Sequence, residues 1–276
     1  MSWHAKLSLH HRREGPRTTA RYEHSGPLRI LKSLYPEGEA ICHNVIVHPP
    51  GGLVGGDVLD IRVRVDAGAH ALVSTPGATR FYASDDLEAA QRVTIDLAAG
   101  ARLEWLPLEA LAYPGCRALN QLTATLAPGA DLLAWDVTAL GLPTSGQPFS
   151  RGRITQRLEL PGLWLEQAHI DASDHRLLAS PLGLAGQRCL GSLLFAVGEP
   201  LERKRREHLL ESVRSTLKTL PQGVQAAATC PNPQLLLVRA LAPVVEPMMT
   251  TLQGCWAALR QEAWQLKPVP PRIWGV

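Results

Sequence analysis

Strict alternation of apolar and polar residues is the feature that most narrows what this chain can fold into. Ile61, Val63 and Val65 are interleaved with Arg62, Arg64 and Asp66, and Val93, Ile95 and Leu97 with Arg92, Thr94 and Asp96. A period of two sends one set of side chains to a core and the other to water, so these are half-buried β-strands. Aligned on itself, the chain shows a weak repeat: VDAGAHALV around Gly68, LAAGARLEWL around Gly100 and LAPGADLLAW around Gly129, at offsets of 32 and 29 residues. Each unit reads as a strand, a tight Gly-Ala turn and a second strand, with glycine supplying the positive φ of the turn. RLELPGLWLEQ around Gly162 is a candidate fourth unit. Hairpins of this period can stack so that neighbours cover each other's apolar faces, or can belong to a β-sandwich. The expected fold is therefore mainly β, with stacked hairpins forming a two-layer, β-helix-like or sandwich-like body.

The pattern changes late in the chain. Leu201, Leu209, Leu210, Val213, Leu217 and Leu220 make one apolar stripe between Pro200 and Pro221, which predicts a helix over about 199–220. Its charged run, Glu202 to Glu207, places Glu202 with Arg206 and Arg203 with Glu207 at i,i+4 spacing, as on a solvated face. A strand over Leu235 to Leu241 leads to a second helix over about 244–263, where Val245, Met248, Met249, Leu252, Trp256 and Leu259 recur at helical spacing. The prolines of KPVPPRIWGV block regular structure over 267–276, so Ile273 and Trp274 must be pinned to the body or to a partner. We expect one domain over 1–276, with a β-rich body over about 1–198.

Composition excludes several functions. With 45% hydrophobic and 19% charged residues the chain is globular, and 28 basic against 25 acidic residues lack the clustered excess of a nucleic-acid binder. No apolar run reaches the roughly 20 residues of a membrane span, and the N-terminus has no signal-peptide core, so a cytoplasmic protein is expected. Five scattered cysteines with no C-x-x-C pair point to reduced thiols.

The stretch Gly51 to Gly56 resembles a phosphate loop, yet no G-K-[ST] follows and the next segment is a strand where such loops need a helix. No nucleophile elbow or Cys-His arrangement is readable. Among ten histidines only His10 and His11 adjoin, at an end expected to be mobile, and no tight metal site can be read. Three acids lie inside apolar strands: Glu104 in RLEWL, Asp136 in LLAWDV and Glu166 in LWLEQ. Each must be paired, protonated, at an edge or facing a hydrated cavity. An acid pair such as Glu104 and Glu109 would suit a carboxylate-dependent hydrolase, and a stand-alone metal-binding protein is the other alternative.

Several blocks occur together: GPLRILKSLYPEG from Gly26, CHNVIVHPPGGLVGGD from Cys42, STPGATRFYAS from Ser74, LEWLPLEAL from Leu103, LLAWDVTALG from Leu132 and PPRIW from Pro270. In order and spacing they resemble the UreD (UreH) family of urease accessory proteins over nearly the whole chain. The resemblance implies an all-β body with two helices and a non-enzymatic role with UreF and UreG in delivering Ni²⁺ to apo-urease. Nickel would be a transient passenger through an internal passage, with no cofactor held stably. Asp57, Glu104, Asp136 and Glu166 are the implied passage residues, Asp136 and Glu166 foremost. His48, Pro49, Pro50, Gly51, Gly52, Gly55, Gly56, Thr75, Pro76, Gly77 and Tyr82 match the family's structural blocks. Pro271, Arg272 and Trp274 would face UreF. The chain departs from the family's pattern after the WD strand, at Leu142 and Gln147.

Overall fold

The computed structural model describes residues 2–275; residues 1 and 276, the ends of the expected domain and tail, lie outside the described residues. In chain order the elements are β1 (His4–Glu14), β2 (Arg17–Ser25), β3 (Arg29–Leu34), β4 (Ile41–Val47), β5 (Val58–Val65), β6 (His70–Ser74), β7 (Thr79–Phe81), β8 (Ala89–Leu97), β9 (Arg102–Trp105) and β10 (Ala110–Ala112). There follow β11 (Arg117–Leu126), β12 (Asp131–Leu142), β13 (Gln147–Pro148), β14 (Arg153–Leu160), β15 (Trp164–Asp171), α1 (His175–Ala179), β16 (Cys189–Val197), α2 (Arg203–Thr216), β17 (Gln225–Asn232), β18 (Leu235–Ala242) and α3 (Val245–Trp264). One sheet runs β15-β14-β11-β8-β5-β1-β2, and the other β17-β18-β16-β12-β9-β6-β4-β3. The inward residues of both, such as Leu7, Val93, Leu103 and Leu132, share one core. The far face of the second sheet, with Leu133, Trp135 and Val137, is covered by α2 and α3. That sheet is apolar on both faces, whereas the first keeps the alternation of a sheet with one wet side.

The repeat is real, but its units are not hairpins. Strands β5, β8 and β11 lie in the first sheet and pair in parallel, while β6, β9 and β12 do the same in the second. Each Gly-Ala turn therefore carries the chain across the core from one sheet to the other, and successive units stack as coils of a solenoid. The offset of 32 is the ladder register Val65 to Leu97, and that of 29 is Leu97 to Leu126. Gly68, Gly100 and Gly129 all have positive φ, and a Cβ on Gly129 would meet the backbone of Gly100, so the turns stack on one another. Sequence could not separate hairpin from arch, because both need the same turn between two apolar strands. The unit at Gly162 is a true antiparallel hairpin, Leu160 opposite Trp164, which ends the parallel run.

Other expectations shift modestly. The first long helix is Arg203–Thr216, shorter than 199–220, because Glu202 has extended backbone at its N-cap. Glu202 is thus outside the helix, while Arg203 does pair with Glu207 at 2.7 Å. The second is Val245–Trp264. A third, short helix, α1, was not expected; Asp174 caps it by accepting from the Leu177 amide. The expected strand at Leu235 is β18, and an unexpected one, β17, pairs with it to extend the second sheet past residue 198. After its prolines the tail makes one 3₁₀ turn, Arg272–Gly275. His10 and His11 are not at a mobile end: β1 lies between β5 and β2, and His11 is fully buried against Asn44.

Candidate functional site

The four candidate acids fall in three environments. Both oxygens of Asp57 accept backbone amides, from Trp3 at 3.1 Å and Val54 at 3.0 Å, so its carboxylate locks the turn before β5. Glu104 points from β9 toward the helices and is fully buried. It meets His70 Nε2 at 2.9 Å and accepts from Trp256 Nε1 at 2.7 Å, with Arg260 Nε 3.7 Å away. Arg260 in turn donates to Glu37 at 2.6 Å, and Glu37 is 2.8 Å from His43. Burial pushes the Glu37 carboxyl up, but the bonds from His43 and Arg260 outweigh it and hold it below the ordinary range. This network fastens α3 to the second sheet. Glu109 lies elsewhere, its carboxyl raised by burial and by Glu246, and shares no hydrogen-bond partner with Glu104.

Asp136 and Glu166 come together in a cavity of ≈ 450 Å³, along with Gln156, Ser192 and Arg239. Asp136 points from β12 into the space between the sheets, in phase with Leu132, Ala134 and Leu140. It is half-buried and lines the cavity. Its oxygens accept from Asn120 Nδ2 at 3.1 Å and, at 3.4 Å, Gln156 Nε2. Burial, with the neighbouring charge of Glu166 adding to it, raises the Asp136 carboxyl to about 6. Glu166 accepts from Arg239 and Ser192.

The amides holding Asp136 belong to a longer row. Gln91, Asn120 and Gln156 are register partners on the parallel strands β8, β11 and β14, all turned into the core. Gln91 Nε2 donates to Asn120 Oδ1 at 3.1 Å, and Thr79 Oγ1 donates to Gln91 Oε1 at 3.3 Å. Gln156 also donates to Thr138 Oγ1 at 2.6 Å. Thr79 and Gln91 line a second cavity, of ≈ 220 Å³, with His48, Gly51, Thr75, Pro76, Gly77 and Arg80 in its wall. A continuous file of polar side chains therefore joins the two cavities through an otherwise apolar core. Sequence reading missed Gln91, Asn120, Gln156, Ser192 and Arg239. The signal was there: extending the alternation of Val93, Ile95 and Leu97 by one step puts Gln91 on the inward face.

The two motif blocks are explained by their contact. Leu53 and residues 80 and 82 exchange backbone bonds, Leu53 N to Arg80 O at 2.7 Å and Tyr82 N to Leu53 O at 2.9 Å. A Cβ on Gly52 would lie 2.3 Å from the Tyr82 ring, and one on Gly55 1.9 Å from Ser84 Oγ, so both positions require glycine. Thr75 Oγ1 accepts the Leu108 amide and donates to Gly77 O. His48 lies against Trp3 with the rings tilted; burial lowers its imidazole below the usual value, and its Nε2 has no partner among the described residues. Trp274 is pinned within the chain, its ring 5.0 Å from Trp135 and 5.2 Å from Trp256, with Nε1 on Ser74 Oγ. Arg272 is exposed and Pro271 half-buried. Leu142 and Gln147 are directly opposite each other in the β12–β13 ladder. All five cysteines are free thiols.

Fold and interior together define a β-solenoid scaffold, helix-clad on one face, with a polar file through its core. The chain belongs to the UreD urease accessory protein family, whose model matches residues 4–275. It is 60% identical over 276 residues, the full length of both chains, to the urease accessory protein UreD of Paracidovorax citrulli. The protein of that name from Albidiferax ferrireducens is 58% identical over the full length of both, and that from Methylibium petroleiphilum 45% over 99% of each. No helix among the described residues is long and apolar enough to cross a membrane.

Proposed function

We propose that this chain is a non-catalytic accessory protein of urease maturation, which docks with UreF and UreG on apo-urease in the cytoplasm and passes Ni²⁺ through its interior. The observation that carries the reading is the polar file from Thr79 through Gln91, Asn120 and Asp136 to Gln156, which joins one cavity to the other. Amide oxygens, hydroxyls and single carboxylates are weak ligands for a borderline cation, and weak successive ligands suit a passenger that must move on. Among the described residues no three His, Cys, Asp or Glu side chains converge as a metal site. Asp136 and Glu166 supply the charge, and Asn120 stands midway. Asp57 and Glu104, saturated by their own partners, hold the walls.

The test is urease activation in cells co-expressing the chain with UreF, UreG and urease. Asp136→Leu, Glu166→Leu and Asn120→Leu place apolar bulk in the route and should each lower activation by about tenfold or more, an estimate from the cost of stripping a cation of its oxygen ligands. Co-purification with UreF should be unchanged. Activation at the wild-type level in all three variants would overturn the passage.

A further inference from the structure

The two carboxylates of the larger cavity are not neutralised alike. Arg239 holds Glu166 in a fork, Nη2 2.9 Å from Oε2 and Nε 3.2 Å from Oε1, and Ser192 Oγ donates to the same Oε1 at 3.2 Å. The guanidinium also lies over the Trp164 ring, 5.7 Å from its centroid. Asp136 takes part in no ion pair among the described residues and leans only on neutral amides. Asp136, Ser192 and Arg239 are direct cross-strand partners on β12, β16 and β18. They make one row on the inner face of the second sheet, running from the centre toward its edge, and Glu166 meets that row from β15, the edge strand of the first sheet. Arg239 is the outermost charged member, with its side chain 53% exposed against 28% for Glu166. Small residues of the edge strand β17, Ala226 and Ala227, line the wall beside it.

We propose that Arg239 is a tethered counter-ion that gates this cavity: a divalent cation gains Glu166 only by displacing the guanidinium into solvent. The inference rests on the passage reading and adds its control element. A half-exposed fork of this kind is held weakly, so an arriving +2 charge that attracts both carboxylates can take its place. When the cation leaves, the guanidinium returns, Glu166 is neutralised again, and no bare acid pair remains to trap the ion. The arginine thus keeps the site from becoming a sink.

The experiment is equilibrium dialysis of the full chain, with its co-purifying partner where it has one, against Ni²⁺ alone at neutral pH. Arg239→Gln removes the competing cation and should bind Ni²⁺ roughly fivefold more tightly than wild type, the factor set by deleting one weak ion pair. Adding Glu166→Gln to that variant should abolish the gain. A purely structural role would lower the melting temperature without tightening Ni²⁺ binding. Equal or weaker binding by Arg239→Gln overturns the gate; if that variant does not fold, Arg239→Lys, which keeps the charge and loses the fork, should show a smaller gain, and no gain there overturns it. Failure of the passage reading would show separately, as undiminished urease activation by Asp136→Leu.

Discussion

Glu104 and Asp136 sit on strands of the same sheet, each inside an apolar run, and the molecule treats them in opposite ways. Glu104 faces the helices and is met by a histidine, an indole N–H and a buried arginine. Asp136 faces the other sheet and is met by two carboxamides and a cavity. Permanent donors make the first acid a fastener. The second takes part in no ion pair among the described residues, and its charge is left available to the cation of the proposed passage. A buried acid is therefore informative through what surrounds it rather than through its burial.

The largest expected effect is on the saturated side. Glu104→Ala leaves His70 and Trp256 without their acceptor and takes a carboxylate from beside the fully buried Arg260, which keeps only Glu37, and should cost about 3 to 5 kcal/mol in a denaturant melt. A cost below about 1 kcal/mol would mean that the network around α3 is ornamental, and the comparison would collapse. On the other side, Asp136→Asn should stabilise the fold at pH 7.5 by about 2 kcal/mol, because it removes a carboxylate that burial makes unfavourable. The sign follows from the carboxyl being raised to about 6. In the folded state it binds a proton more readily than in the unfolded chain, so its ionisation costs stability above about pH 6, and the cost is gone below the ordinary carboxylate value near 3.8. The advantage of Asp136→Asn should accordingly shrink as pH falls from 6 to 4, measurable by paired melts, and an advantage that grows on acidification would refute the assignment. The smallest change is at the tail. Trp274→Ala removes a half-buried ring from Trp135 and Trp256 and should cost about 1 to 2 kcal/mol, read as a lower melting temperature.

The repeat could be read from the sequence because alternation and the Gly-Ala turns are local, and its offsets turned out to be the pairing register. What the turns connect could not be read: Gly68 serves an arch and Gly162 a hairpin with the same local chemistry. At the site, Asp136 and Glu166 stood out as acids among apolar residues, and the fold does bring them to one cavity. Glu104 stood out for the same reason, yet its partners come from residues 70, 256 and 260, separations no local pattern encodes. Gln91, Asn120 and Gln156 escaped notice because uncharged amides are unremarkable singly. Only the parallel register lines them up.

That register also decides when the chain is at risk. A strand of this solenoid finds its neighbour only after the chain has travelled once around the coil: Val63 must wait for Ile95, and Ile95 for Ala124. Pairing deferred over such separations is slow, and until each coil closes the apolar edge of the last one is open to any other strand. Refolding from denaturant should be slow and its yield should fall as concentration rises. The finished molecule closes the parallel run on both sides with antiparallel pairs, β1–β2 and β14–β15 in the first sheet and β3–β4 and β17–β18 in the second, so its hazard belongs to synthesis rather than to service.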